Sequence, residues 1–200
     1  MSNLTDIQLD ALREMGNIGS GNAATSLAQL ITETVNISVP AVKIMPLKEV
    51  SFFLGGPEKL VYIVYLEVLR EMQGTMLTIF TPESASFLGK KLFKKIEVDL
   101  QDEISQSALR EVGSILCGSY LSALSQIVGI TSVASVPVMA SDMLGAVLDF
   151  ILVEIGQVAD EVILIETELL VAGTKLECSQ LYLPKPEALE KILAAIGMGS

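Results

Sequence analysis

Asp10, Glu14 and Asn17 stand four and three residues apart, so a helix would stack them along one ridge. The same order returns 97 residues later as Ser107, Glu111 and Ser114. Pro40 lies 23 residues beyond Asn17, and Pro137 lies 23 beyond Ser114. The pattern D/S-x3-E-x2-N/S-x22-P is therefore present twice. On an exposed ridge, a glutamate can pair with a partner's lysine or act as a base. An asparagine offers both a donor and an acceptor, and can orient a water molecule. A merely solvated helix face is the plain alternative for Glu14 and Glu111, but a solvated face has no reason to keep one register twice. The sequence holds no histidine, which excludes Ser-His-Asp and Cys-His nucleophilic sites and the commonest transition-metal ligand. Chemistry is left to carboxylates, amides, hydroxyls, lysines or a partner's groups.

The elements that must carry these residues are legible as hydrophobic periods. Leu9, Leu12, Met15, Ile18, Ala23, Leu27 and Leu30 recur at helical spacing and predict a helix over 5–33, with Thr5 or Asp6 as N-cap. A strand follows at 35–47. Residues 60–69 and 71–80 read as a hairpin turning near Leu69 to Glu71, and Pro82 opens a helix through Phe93. A second long helix is expected at 102–128, then a strand at 131–140, with Ser141 capping a short helix. Strands are expected at 150–156, 161–173 and 176–184. Pro184 and Pro186 precede a closing helix over 187–196.

Residues 11–30 and 108–127 align without gaps as ALREMGNIGSGNAATSLAQL and ALREVGSILCGSYLSALSQI, identical at nine of twenty positions. Each helix leads to the tripeptide Ser-Val-Pro, at 38–40 and 135–137, at the same offset. An offset held from helix to strand implies a duplication. We expect one domain of two half-repeats, about 5–99 and 100–183, related by a pseudo-two-fold axis and sharing one sheet, plus the closing helix.

The doubled motif, set in ALREMGNIGSGNAAT and ALREVGSILCGSYLSAL, resembles the CheC branch of the CheC/CheX/FliY phosphatases of bacterial and archaeal chemotaxis, over essentially the whole chain. The resemblance implies an α/β (α+β) fold with a continuous, largely antiparallel sheet and two long helices side by side. It implies phosphorylated CheY as substrate, a receiver that carries an aspartyl phosphate and its own Mg²⁺, so no cofactor of this chain's own is expected. It implies that Asn17 orients the attacking water and Glu14 pairs with a receiver lysine, with Asp10 and Pro40 in support. Glu111 and Ser114, with Ser107 and Pro137, are the corresponding residues of the second copy. Ser114 departs from the family's Asn: its hydroxyl reaches less far and lacks the planar amide. The first site is therefore expected to be competent and the second weak or inactive. The resemblance also implies docking of the receptor deamidase CheD near residues 136–150, with Asp142 a candidate contact. A non-catalytic module that sequesters CheY-phosphate or regulates CheD is the alternative reading. A FliY-like switch component is a third, against which the short stretch after residue 197 counts.

Composition sets the remaining bounds. Half of the 200 residues are hydrophobic and only 5% aromatic, with a mean hydropathy of +0.55, so the core is built from aliphatic side chains. The net charge of −11 opposes nucleic-acid binding, which rests on neutralising phosphates. No run suits membrane insertion, because Asp149 and Glu154 interrupt the most apolar stretch. The first ten residues lack the regions of a signal peptide, so the expected location is cytoplasmic. Cys117 and Cys178 are too few for a disulfide scaffold, and Cys117 is expected to be a buried thiol. Lys90, Lys91, Lys94 and Lys95 read as a solvated helix face. GSGNAA at 19–24 matches a dinucleotide fingerprint but sits inside a helix rather than after a strand. Gly16, Gly19, Gly21, Gly113 and Gly118 are expected where the two long helices meet.

Overall fold

Two 26-residue helices, α1 (Asp6–Ile31) and α4 (Glu103–Val128), lie side by side across one face of a seven-stranded sheet. The computed structural model describes residues 5–155 and 161–197. Between and after the long helices run β1 (Val35–Pro46), α2 (Leu47–Phe53), β2 (Leu60–Arg70), β3 (Gly74–Phe80) and α3 (Pro82–Phe93), then β4 (Ser132–Ala134), β5 (Val138–Met143), α5 (Leu144–Ile155), β6 (Glu161–Val171), β7 (Thr174–Pro184) and α6 (Pro186–Gly197). The strand order is β1-β6-β7-β3-β2-β4, with β5 also on β2, and every pairing is antiparallel. The α/β architecture and the continuous antiparallel sheet are as expected. Helix α4 begins and ends 97 residues beyond α1, and α5 begins 97 residues beyond α2.

Alternation along the strands sends side chains to two cores. Val64, Leu66, Met76, Ile165 and Tyr182 face the long helices, packing with Leu12, Met15, Leu116, Cys117 and Tyr120. Ile63, Leu77, Leu164 and Leu181 face the other way, where α2 and α5 cover them with Leu47, Val50, Leu144, Val147 and Ile151. Gly19 allows the close approach of the long helices: a Cβ there would stand 2.8 Å from Ser119 O and 3.0 Å from Tyr120 Cα.

Several expectations are corrected. The stretch 150–155 is helical, not a strand, and residue 156 lies outside the described residues. Leu144, Val147, Leu148 and Ile151 are buried at helical spacing, a period that a short apolar run conceals. Ser141 caps nothing. It lies in β5 opposite Tyr62, and the helix starts at Leu144. The strand expected at 131–140 is split into β4 and β5 around residues 135–137. The hairpin turn falls at 71–73, because β2 continues through Arg70. Helix α2 was not anticipated. Ile18 and Leu30, which belong to the helical period, lie off the buried face and are 42% and 40% exposed. Of the five glycines assigned to helix contact, only Gly19 fits. Gly16 and Gly113 abut Val39 and Val64 of the strands, while Gly21 and Gly118 face open space.

Candidate functional site

Helix α1 is started by a capping box, in which Thr5 accepts from Gln8 N and Gln8 Oε1 accepts from Thr5 N. This start sets the register that turns Asp10, Glu14 and Asn17 to solvent. Asp10 pairs with Arg13 at 3.0 Å. Glu14 has no ion-pair or hydrogen-bond partner among the described residues, so its charge is available to another molecule. Asn17 is fixed from behind: its Oδ1 accepts the Val39 N–H at 3.0 Å. A backbone N–H requires an acceptor, so the amide orientation is decided, and the Nδ2 hydrogens point away from the strand.

Val39 can donate to a helix because β1 bulges there. Ser38 pairs with Glu168 and Ala41 with Glu166, leaving Val39 and Pro40 opposite Thr167 alone. Pro40 has no N–H to leave unpaired at this point. Its side chain is exposed, whereas Val39 is 2% exposed and packs beneath Gly16. The long spacing from Asn17 to Pro40 is thus the length of chain needed to bring the bulge under the ridge.

The second ridge is built differently. Asp102 caps α4, accepting from Ile104 N and Ser105 N at 2.9 and 3.0 Å. The Ser105 hydroxyl and N–H hold the Asp102 carboxyl below its ordinary pKa. The cap therefore keeps its full strength above the ordinary carboxylate range and weakens only as pH falls through the depressed value. Ser107 and Glu111 are exposed, and Ser114 is half-buried. Strand β2 pairs Val68 with Ala134 and Tyr65 with Val138, so Ser135, Val136 and Pro137 bulge opposite Leu66 and Glu67. This bulge is closed within the sheet: Ser135 Oγ accepts from Glu67 N at 2.9 Å, and Ser135 N donates to Glu67 O at 2.9 Å. Val136, the counterpart of Val39, is 81% exposed, and Pro137 is half-buried. Among the described residues, no hydrogen bond joins Ser114 to this strand.

Each ridge is longer than its motif. Ile7 precedes Asp10 by three residues and Ile104 precedes Ser107 by three, and both isoleucines are 71% exposed. Gly21 and Gly118 extend the ridges in the other direction, one turn beyond Asn17 and Ser114. Sequence reasoning missed the isoleucines, although their offset of 97 could have found them. The Val39 contact and the closure by Ser135 gave no signal of their own.

The other candidates lie apart from the ridges. Asp142 is exposed on β5 opposite Val61, where its carboxylate accepts from Met143 N at 2.7 Å. Of the lysines on α3, Lys91 pairs with Glu33 at 2.9 Å, and Lys94 ends the helix in the left-handed region. Among the described residues, no group of three His, Cys, Asp or Glu side chains could hold a metal, and no helix is long and apolar enough to cross a membrane. Cys117 is buried with Sγ 3.1 Å from Thr78 Oγ1, and Cys178 is buried as well. Burial pushes the Cys117 thiol up to about 12, against the lowering effect of Thr78, and pushes Cys178 up also. The thiolate is the reactive form. We expect neither cysteine to react with an aromatic disulfide reagent at pH 8 until the chain unfolds, and prompt reaction of the native protein would contradict this burial.

The model of the CheC-like family matches residues 7–44, the segment holding the first ridge and its bulge. The chain is 33% identical over 196 residues to the CheY-P phosphatase CheC of Bacillus subtilis, covering 95% of this chain and 94% of that one. The crystal structure of Thermotoga maritima FliY superposes with a TM-score of 0.79 at 23% identity, over 99% of this chain and 100% of the other. The FliM middle domain from H. pylori superposes with a TM-score of 0.67 at 16% identity, over 96% and 99%. These last two likenesses concern the fold.

Proposed function

The chain belongs to the CheC-like family, and from that premise we propose that it hydrolyses the aspartyl phosphate of a phosphorylated CheY-type receiver. The observation that carries this reading is the pairing, on one exposed ridge, of an unpartnered carboxylate with an amide whose direction is fixed by the strand behind it. A water oxygen attacks phosphorus in line with the bond to the receiver's aspartyl oxygen. That bond breaks, leaving the aspartate carboxylate and inorganic phosphate. Such a displacement asks the protein for positioning and electrostatics more than for covalent chemistry. In this reading Nδ2 of Asn17 donates to the attacking water and holds it in line. Glu14 pairs with a receiver lysine. Mg²⁺ belongs to the receiver. Gly21 leaves bare helix one turn beyond Asn17, which suits the close approach of a partner's backbone.

The first ridge is the competent one in this proposal, and the second docks at most. Glu111 is exposed like Glu14, but Ser114 is short and unsupported by its strand. This asymmetry also favours, as a second reading, a module that holds CheY-phosphate without hydrolysing it. Phosphate release from purified CheY-phosphate separates the two: hydrolysis shortens the phosphate's lifetime, whereas sequestration lengthens it or leaves it unchanged.

The proposal includes CheD as a partner, with Asp142 as a contact. Asp142 is exposed on an edge of the sheet, beside exposed Met143. Asp142→Lys is expected to weaken capture of CheD in a pull-down at least severalfold. Undiminished capture would remove Asp142 from the interface.

A further inference from the structure

We propose that the β1 bulge is a positioning device for the phosphatase ridge, in which Val39, seated under Gly16, holds the Asn17 amide in its acting orientation. The inference rests on the functional reading above, and extends it from the ridge to the strand behind it. Asn17 is exposed, and an exposed asparagine turns among several rotamers. The Val39 N–H on Oδ1 selects one of them and leaves the Nδ2 hydrogens for the attacking water.

Three residues make that contact possible, each for a different reason. Pro40 adds no second N–H to the bulge. Gly16 leaves the space that Val39 fills, since a Cβ at position 16 would stand 3.0 Å from both Val39 Cγ atoms. Val39, 2% exposed, is anchored by that packing, so its N–H is presented from a fixed point. The second copy keeps the residue types, as Gly113, Val136 and Pro137, but not the clasp. The bulge is closed by Ser135 on Glu67, Val136 is turned out to solvent, and Gly113 lies over Val64 of another strand. The second ridge therefore lacks more than an asparagine.

Gly16→Ala tests the device without touching a polar group. Its Cβ displaces Val39 and loosens the clasp, while Glu14 still docks the receiver. We expect kcat for phosphate release from a phosphorylated CheY-type receiver to fall roughly tenfold or more, as small misplacements do, with KM changed less than about twofold. Adding Val39→Ala removes the clash and is expected to restore most of kcat. An unchanged kcat in Gly16→Ala, a loss confined to KM, or a folded double variant that is not rescued would each overturn the proposal.

A second experiment uses a different part of the chain. Asn17→Ala combined with Ser114→Asn is expected to stay at the receiver's unassisted rate, because the new asparagine has no strand behind it. Recovery of hydrolysis in that variant would sink the idea. If the unaltered chain itself fails to shorten the phosphate's lifetime, the functional reading falls. The clasp is still tested then, by the Asn17 side-chain amide signals in NMR. These are expected to be dispersed in the unaltered chain and averaged in Gly16→Ala, and identical signals in both would reject the clasp.

Discussion

Asn17→Asp is expected to leave the fold at its original stability and to slow assisted loss of the receiver's phosphate about a hundredfold. Aspartate keeps the oxygen that accepts the Val39 N–H, so the clasp at 3.0 Å survives. It lacks the Nδ2 hydrogens, and it brings a negative charge towards a phosphoryl group. Asn17→Ala differs in a useful way. It also abandons the Val39 N–H, and leaving a partly buried donor unpaired costs about 1–3 kcal/mol. For a chain of this size each kcal/mol lowers the unfolding midpoint by roughly 2–4 °C. The two variants should therefore be alike in phosphate release and different in thermal unfolding. Asn17→Asp working at the original rate would mean that the amide donor is not used, and would leave the ridge with docking alone. Ser114→Ala, in the same assay, is expected to change little, since Ser114 has no strand contact to lose.

Gly19→Ala should leave the chain less stable than Gly21→Ala. Both glycines lie inside α1, and replacing either by alanine gains about 1 kcal/mol of helix propensity. That gain cancels when the two are compared. At Gly21 no heavy atom stands within 4 Å of the added Cβ, so the gain remains. At Gly19 the Cβ meets backbone of α4, with Ser119 O at 2.8 Å, Tyr120 Cα at 3.0 Å and Ser119 C at 3.1 Å. Backbone cannot rotate aside as a side chain can, so the helices must separate, and overpacking of this kind costs about 1–3 kcal/mol. The midpoints of the two variants should then differ by roughly 2–12 °C, with Gly21→Ala the higher. Equal midpoints would show that α1 and α4 can separate at no cost. That outcome would conflict with the buried Leu12, Met15, Tyr120 and Leu124 of the shared core.

Much of this was readable in the chain because helices carry a local period. Leu12, Met15 and Leu27 predicted a buried face, and Asp10, Glu14 and Asn17 predicted an exposed one, as the structure has them. Short apolar runs were less legible. Residues 150–155 form a mostly apolar run that suits a buried strand as well as a helix, and only packing on the sheet decides between the two. The Ser-Val-Pro tripeptides marked matching positions, but nothing in them says that one valine is buried and the other exposed.

The sequence by itself determined the two ridges, their register, the family, and the serine that stands at 114 where the first copy has Asn17, because each depends on residue identity and local spacing. The tertiary structure decided which way the Asn17 amide points, which glycine lets the long helices meet, and why the second ridge lacks support. Those features depend on contacts across long separations: Asn17 with Val39, Gly19 with Ser119, and Ser135 with Glu67. No local period encodes a contact of that kind. It exists only once the strand has been carried under the helix and the bulge has freed a backbone N–H.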